Sequence, residues 1–118
     1  MGNTQNHSAE FNFFTDPEAA HIVLDGWPGV QLLPWETAVE HTAPQQQVEA
    51  LMAIAAAIEP GFVLRREARH AQVELAGVIT RGQSTVDWYG QSGQQANVSL
   101  ILDVDQARFL ELLQAALA

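Results

Sequence analysis

The chain has 118 residues, of which 47% are hydrophobic and 16% charged. This is a globular composition with apolar material for a core, and at roughly 100–200 residues per domain it makes one domain at most. Fourteen acidic side chains against five basic ones leave a net charge of −9, which argues against nucleic acid as the main partner because phosphate binding needs a basic patch. With no cysteine, a disulfide framework, a thiol nucleophile and a cysteine-ligated zinc site are excluded.

The opening Met-Gly-Asn-Thr-Gln-Asn-His has neither a basic head nor an apolar stretch and does not read as a signal peptide. Residues 1–9 read as a polar loop. In Glu10-Phe11-Asn12-Phe13-Phe14, an extended backbone would place Glu10 and Asn12 on one side and Phe11 and Phe13, a buried pair, on the other. Thr15-Asp16-Pro17-Glu18 is a helix start, with a capping residue, proline at the first helical position and an acid near the positive end. The helix continues from Ala19 to Asp25 and stops at Gly26. Pro28-Gly29 is a turn, and Val30 to Pro34 an apolar run expected as a buried strand feeding a parallel sheet.

Residues 36–47 change character, with a low-complexity patch at Thr42 to Gln47. Gln47 to Ile58 is alanine-rich and free of glycine and proline, which predicts a helix apolar nearly all round and hence buried. Its Leu51 to Ile58 run falls well short of the roughly 18 residues a membrane span needs. No membrane partner is expected, and a cytoplasmic location is the default. Glu59-Pro60-Gly61 ends the helix, and from Phe62 the pattern becomes strand-like, with alternation in the first half of Gln72 to Ile79. Arg81-Gly82-Gln83 is a turn, Ser84 to Trp88 a short strand, and Tyr89 to Gln95 a loop. Asn97 to Val104 is a strand, with Val, Leu, Leu and Val alternating against Ser, Ile and Asp. Asp105 caps a last helix, Gln106 to Ala118, with Phe109, Leu110, Leu112 and Leu113 inward.

Local chemistry is sparse. No phosphate-binding glycine loop, His-x-x-x-His pair or Gly-x-Ser-x-Gly elbow occurs. His7, His21, His41 and His70 are widely spaced and suit surface or capping roles. All five basic residues are arginines, three of them close together at Arg65, Arg66 and Arg69. That cluster suits an anion or, equally, a solvated turn that offsets nearby carboxylates. Trp27, Trp35 and Trp88 could stack on a base or simply pack. Glu10 and Asn12 are the strongest pair, because a carboxylate and an amide two residues apart can bracket hydroxyl groups. They lie just before a helix, where α/β folds carry sites. The same residues would also suit a polar edge beside buried phenylalanines.

Ala9-Glu10-Phe11-Asn12-Phe13-Phe14-Thr15-Asp16-Pro17-Glu18-Ala19-Ala20 closely resembles a segment of the inosine–uridine preferring nucleoside hydrolase family. So do the run from Val73 to Gly77 through Thr80-Arg81-Gly82-Gln83 to Val86-Asp87-Trp88, and Asn97-Val98 through Leu102-Asp103-Val104-Asp105 with Arg108-Phe109. The resemblance implies an α/β fold, an open and mostly parallel sheet with flanking helices. Residues 1–118 would be a single partial domain from the C-terminal part of that fold. It implies cleavage of the N-glycosidic bond of ribonucleosides to ribose and free base. In the family a calcium ion, held by an aspartate cluster of the form Asp-x-Asp-x-Gly-x-Asp-Asp, binds ribose hydroxyls and a water whose proton an aspartate accepts. By the same resemblance Glu10 and Asn12 hold ribose hydroxyls, and Asn3 is the candidate for an upstream asparagine that contacts the sugar.

The aspartate cluster has no counterpart in this sequence. Within the chain the family's lid helices, expected after Trp35-Glu36-Thr37, are also missing, and the patch at Thr42 to Gln47 marks where they would stand. Residues near Val48-Glu49 replace a His-Asp pair, with Glu49 a conceivable calcium ligand. Three expectations follow. The chain is a nucleoside hydrolase relic inactive by itself; or it binds ribose or nucleoside without turnover, or associates as a homo-oligomer or with an intact homologue; or it is a fragment without a function of its own. Part of an open sheet leaves apolar edges and faces uncovered, which favours association.

Overall fold

The structure, a computed structural model, describes residues 8–41 and 46–118, and the side chains of 46–49 and 117 are not described. Asn3, His7, the patch at 42–45 and the side chain of Glu49 lie outside the described residues. The elements are α1 (Phe11–Thr15), α2 (Pro17–Gly26), β1 (Val30–Leu32), α3 (Trp35–His41), α4 (Gln46–Ile58), a 3-10 turn (Pro60–Phe62), β2 (Val63–Val73), β3 (Ser84–Asp87), β4 (Val98–Val104) and α5 (Gln106–Leu117). The four strands form one sheet in the order β1-β4-β2-β3, so the expected α/β class holds. Contacts divide the chain into two units, Met1–Gln31 with Ala68–Ser99, and Leu32–Glu67 with Leu100–Ala118. Strands β2 and β4 supply residues to both.

In the first unit, β2 and β3 pair antiparallel with His70 opposite Asp87 and Val73 opposite Ser84. This pair departs from the parallel arrangement expected of most of the sheet. The ten residues between the strands make a compact turn, whereas parallel neighbours need a crossover of a dozen residues or more. Strand β2 ends at Val73, within the first half of Gln72 to Ile79 where the alternation lies, because Glu74 to Gln83 is taken up by that turn. Asn97 acts as a piece of backbone. Its Oδ1 accepts from Ala71 N at 2.8 Å, and its Nδ2 donates to Ala71 O at 2.8 Å and to Leu24 O at 3.2 Å. The end of α2 is thereby tied to β2. Strand β1 is half-buried rather than buried.

The second unit holds a core of Ala38, Met52, Ala55, Ala56, Phe62, Ile101, Val104 and Phe109, with Leu33, Val63, Leu112 and Leu113 packed on it. The Phe62 and Phe109 rings meet at 5.8 Å in a tilted arrangement. Phe62 is fixed by its own backbone, which donates to Glu59 O and accepts from Asp105 N. Asp105 in turn caps α5 by accepting from Arg108 N at 2.9 Å, as its position before the helix predicts. Arg108 clamps the same corner, with Nε and Nη2 on Glu59 at 2.7 and 3.1 Å and Nη1 on Glu111 at 2.9 Å.

Three packing expectations do not hold. Helix α4 is not buried all round: Met52, Ala55 and Ala56 face the core, while Leu51, Ile54 and Ile58 are exposed. These sets lie on different stripes at 3.6 residues per turn, so only one stripe finds a partner within its unit. Leu110 is 51% exposed rather than inward, because at about 100° per residue it stands at the edge of the arc centred on 109, 112 and 113. In β4 the successive residues Leu100 and Ile101 are both buried, the mark of an interior strand covered on both faces rather than of alternation. Phe109→Ala should cost about 3–5 kcal/mol by the loss of a filled aromatic site. Leu110→Ala should change stability by less than about 0.5 kcal/mol, and urea unfolding of the two variants measures the difference.

Candidate functional site

The segment carrying Glu10 and Asn12 is helical, not extended. Glu10 itself keeps an extended backbone as the N-cap of α1, and Asn12 lies in its first turn. Asn12 N donates to Glu10 Oε2 at 2.9 Å, and Asn12 Nδ2 lies 3.4 Å from Oε1. Phe14 N closes the turn on Glu10 O at 2.9 Å. Thr15 Oγ1 donates back to Phe11 O at 2.8 Å. The aromatic pair expected beneath the polar side is not buried: Phe11 is 61% exposed and Phe13 half-buried. The carboxylate and the amide nevertheless come together as expected, by capping rather than by strand alternation. Glu10 is half-buried and Asn12 exposed, so this acceptor-rich and donor-bearing pair is open to a ligand.

Helix α2 follows at once. Asp16 Oδ1 accepts from Ala19 N at 2.9 Å and Pro17 takes the first helical position, as the sequence predicts. Glu18 does more than sit in the first turn. Arg81 Nη2 donates to both of its carboxylate oxygens, at 2.6 and 2.8 Å, and that hydrogen-bonded guanidinium holds its carboxyl below the ordinary value. Arg81 Nη1 also donates to Leu75 O at 2.7 Å. Nothing local in the sequence links positions 18 and 81.

The remaining candidates separate. Arg65 and Arg66 stand on β2, not in a turn, and strand alternation sends them to opposite sides. Arg65 lies 3.7 Å from Glu67. Arg69 stands over the Trp88 ring at 5.9 Å, within the range of a cation–π contact. Trp27 is exposed and Trp35 half-buried. His21 lies 3.5 Å from Asp25, and His70 Nδ1 is 3.2 Å from Gln95 O. His41, in the last turn of α3, has Nδ1 2.8 Å from Thr37 O and Nε2 2.9 Å from Asp103. Asp87 closes the 87–92 loop: the hydroxyl and amide of Ser92 and the amide of Gln91 all donate to it. These donors lower its carboxyl to about 2.

Among the described residues no three His, Asp or Glu side chains gather as a metal-binding group, whereas a calcium ion takes about six to eight oxygen ligands. The described residues do not supply the donor set that the resemblance implies for calcium. The hydrogen-bonding chemistry of Glu10 and Asn12 stands apart from it. Among the described residues no helix is long and apolar enough to cross a membrane.

The family model described as inosine-uridine preferring nucleoside hydrolase matches residues 1–53 and, as a second stretch, 45–111. The pyrimidine-specific ribonucleoside hydrolase RihA of Shewanella woodyi is 30% identical over 149 residues, which cover 93% of this chain and 47% of that protein. The RihA of Klebsiella pneumoniae strain 342 is 30% identical over 157 residues, covering all of this chain and 49% of its own length. Among solved structures, an inosine-guanosine nucleoside hydrolase matches with a TM-score of 0.82 at 30% identity, over 96% of this chain and 47% of that one. The chain spans about half the length of the curated relatives it matches. The 157 aligned positions exceed the 118 residues of the chain by 39, and the family match divides between residues 45 and 53. The gap thus falls at the start of α4, beside the polar patch.

The Glu18 carboxyl is held low by Arg81, so this tether is complete above the ordinary carboxylate value and is lost as pH falls through the lowered one. In Arg81→Ala the Glu18 titration should move up to the ordinary carboxylate range, while Asp87 continues to titrate at about 2, both followed by NMR of the side-chain carboxyls.

Proposed function

Since this chain belongs to the inosine-uridine preferring nucleoside hydrolase family, we propose that it forms the sugar-holding part of a ribonucleoside hydrolase site and does not by itself cleave nucleosides. Glu10 accepts hydrogen bonds from ribose hydroxyls, Asn12 donates to or accepts from them, and Asn3 adds a contact. The single observation that carries this is the pairing of the Glu10 carboxylate with the exposed Asn12 amide at the head of α1. A carboxylate has about four acceptor positions, and Asn12 is the only donor found on the Glu10 side chain among the described hydrogen bonds. The remaining acceptor capacity is available to a diol. Water activation and stabilisation of an oxocarbenium-like transition state need a metal or a positioned base. On this reading calcium and its aspartate cluster are supplied from outside the stretch this chain matches, and base selectivity by the lid helices expected after Trp35-Glu36-Thr37.

A second reading, association with a further copy or with an intact homologue, is favoured by the exposed Leu51, Ile54 and Ile58 stripe of α4. It predicts concentration-dependent sedimentation that Ile54→Glu abolishes; a monomer at all concentrations, alone or mixed with a full-length relative, would remove it.

For the main proposal, uridine and inosine are titrated into the purified chain with calcium present, and base release is followed in the same samples. The expected result is binding that Glu10→Ala weakens at least tenfold, with no base released. Calcium-dependent release of base that Glu10→Ala abolishes would overturn it, because a complete catalytic centre would then exist in these 118 residues.

A further inference from the structure

The turn between β2 and β3 is braced from within. Gly82 N donates to Glu74 O at 2.7 Å, Glu74 N to Gln83 O at 2.9 Å and Arg81 N to Gly77 O at 3.1 Å. The Glu74 side chain caps it, with Oε1 accepting from Ala76 N at 2.7 Å and Gly77 N at 3.1 Å. Gly82 has φ +81°, a conformation that a side chain strains.

This braced turn touches the Ser8–Glu18 segment at three points. Ser8 Oγ donates to Ile79 O at 2.8 Å. Arg81 Nη2 donates to both carboxylate oxygens of Glu18. Between them Gly82 lies against the backbone of α1, so close that a Cβ there would stand 2.9 Å from Phe14 Cα and 3.0 Å from Phe13 O. Neither of those atoms belongs to a flexible side chain that could swing aside. Glu10 and Asn12 lie between the outer two contacts in sequence, and Phe14, whose Cα Gly82 meets, donates its N–H to Glu10 O.

We propose that the 74–83 turn is a clamp that sets the position of the Glu10–Asn12 pair, and that Gly82 is its positioning residue, required to be glycine by close approach to α1 as well as by its own φ. The inference rests on the sugar-holding role proposed for Glu10 and Asn12. Side chains that recognise a diol must be held to a fraction of an ångström, and a five-residue helix does not hold itself. The clamp supplies what the local sequence lacks.

Two readouts test this on the intact chain. The first is hydrogen exchange at the Phe14 amide, compared with the amides of the β2–β3 ladder. The second is uridine affinity, followed by NMR. Gly82→Ala is expected to speed Phe14 exchange at least tenfold and to weaken uridine binding at least tenfold, while the β2–β3 amides keep their protection. Arg81→Ala is expected to act in the same direction with a smaller effect, and Arg81→Lys to restore part of it; this pair decides the matter if Gly82→Ala does not fold. Unchanged Phe14 exchange in Gly82→Ala overturns the clamp. Faster exchange with unchanged uridine affinity overturns its role at the sugar site. A wild-type chain that does not bind uridine overturns the sugar reading and the role of Gly82 in it, while the exchange readout still decides separately whether the turn holds α1.

Discussion

The Ser8–Glu18 segment depends on how closely one backbone can approach another. Helix α1 is too short to persist on its own. Its first turn is capped by a glutamate, which stands outside the small polar residues that usually serve as caps. Its aromatic residues are weak helix formers, and its side chains bury little. Among the described residues it is held by the contact of Phe13 and Phe14 with the Gly82 turn, flanked by the Ser8 hydrogen bond and the Glu18–Arg81 pair. Any side chain at Gly82 would push α1 away and take Glu10 and Asn12 with it. An exposed ion pair such as Glu18–Arg81 contributes little to stability, so its contribution here is direction: it fixes where α2 begins, and therefore where α1 must end.

Charge in this chain is organised locally despite the excess of acid. Arg108 binds Glu59 and Glu111, and two carboxylates on one guanidinium push its ionisation up. It staples the end of α4 to the first turn of α5, where Asp105 already caps. Arg81 takes Glu18, Arg65 faces Glu67 and Arg69 stands over Trp88. Four of the arginines are thus engaged within their own unit, and the cluster at 65, 66 and 69 is spread along β2, with Arg65 and Arg66 on opposite faces.

The parts of the fold that were legible in the sequence are those set by short-range chemistry. Asp16 before Pro17 and Asp105 before α5 both cap as read. The Pro28-Gly29 and Arg81-Gly82 turns stand where glycine permits positive φ, and α4 begins within one residue of its expected start. What was not legible depends on residues far apart in the chain. The alternation Glu10-Phe11-Asn12-Phe13 reads as a strand because its helical form is imposed by a cap and by Gly82, not by propensity. Helix α3 was not foreseen, since Thr37, which anchors it through a buried bond to Ile101 O, finds its partner on β4. The pairing of Glu10 with Asn12 was foreseen for the wrong backbone. Two residues apart, they share one side of a strand, but they also meet when the first caps a helix and the second stands in its first turn.

Sugar recognition and bond cleavage make different demands on a protein, and this chain bears on the difference. Holding a diol needs a carboxylate and an amide in fixed positions, and the contacts around Glu10 and Asn12 come from residues 8–18 and 74–83. Cleaving an N-glycosidic bond needs an activated water and charge stabilisation at the sugar ring, which calls for a metal or base with many oxygen partners. Those partners do not gather among the described residues, and the chain matches about half of its relatives. On the proposed reading, the contacts described for Glu10 and Asn12 and the turn that meets α1 all lie within one unit. On that reading binding and catalysis are separable, because the turn proposed to position Glu10 and Asn12 belongs to the same unit as the pair.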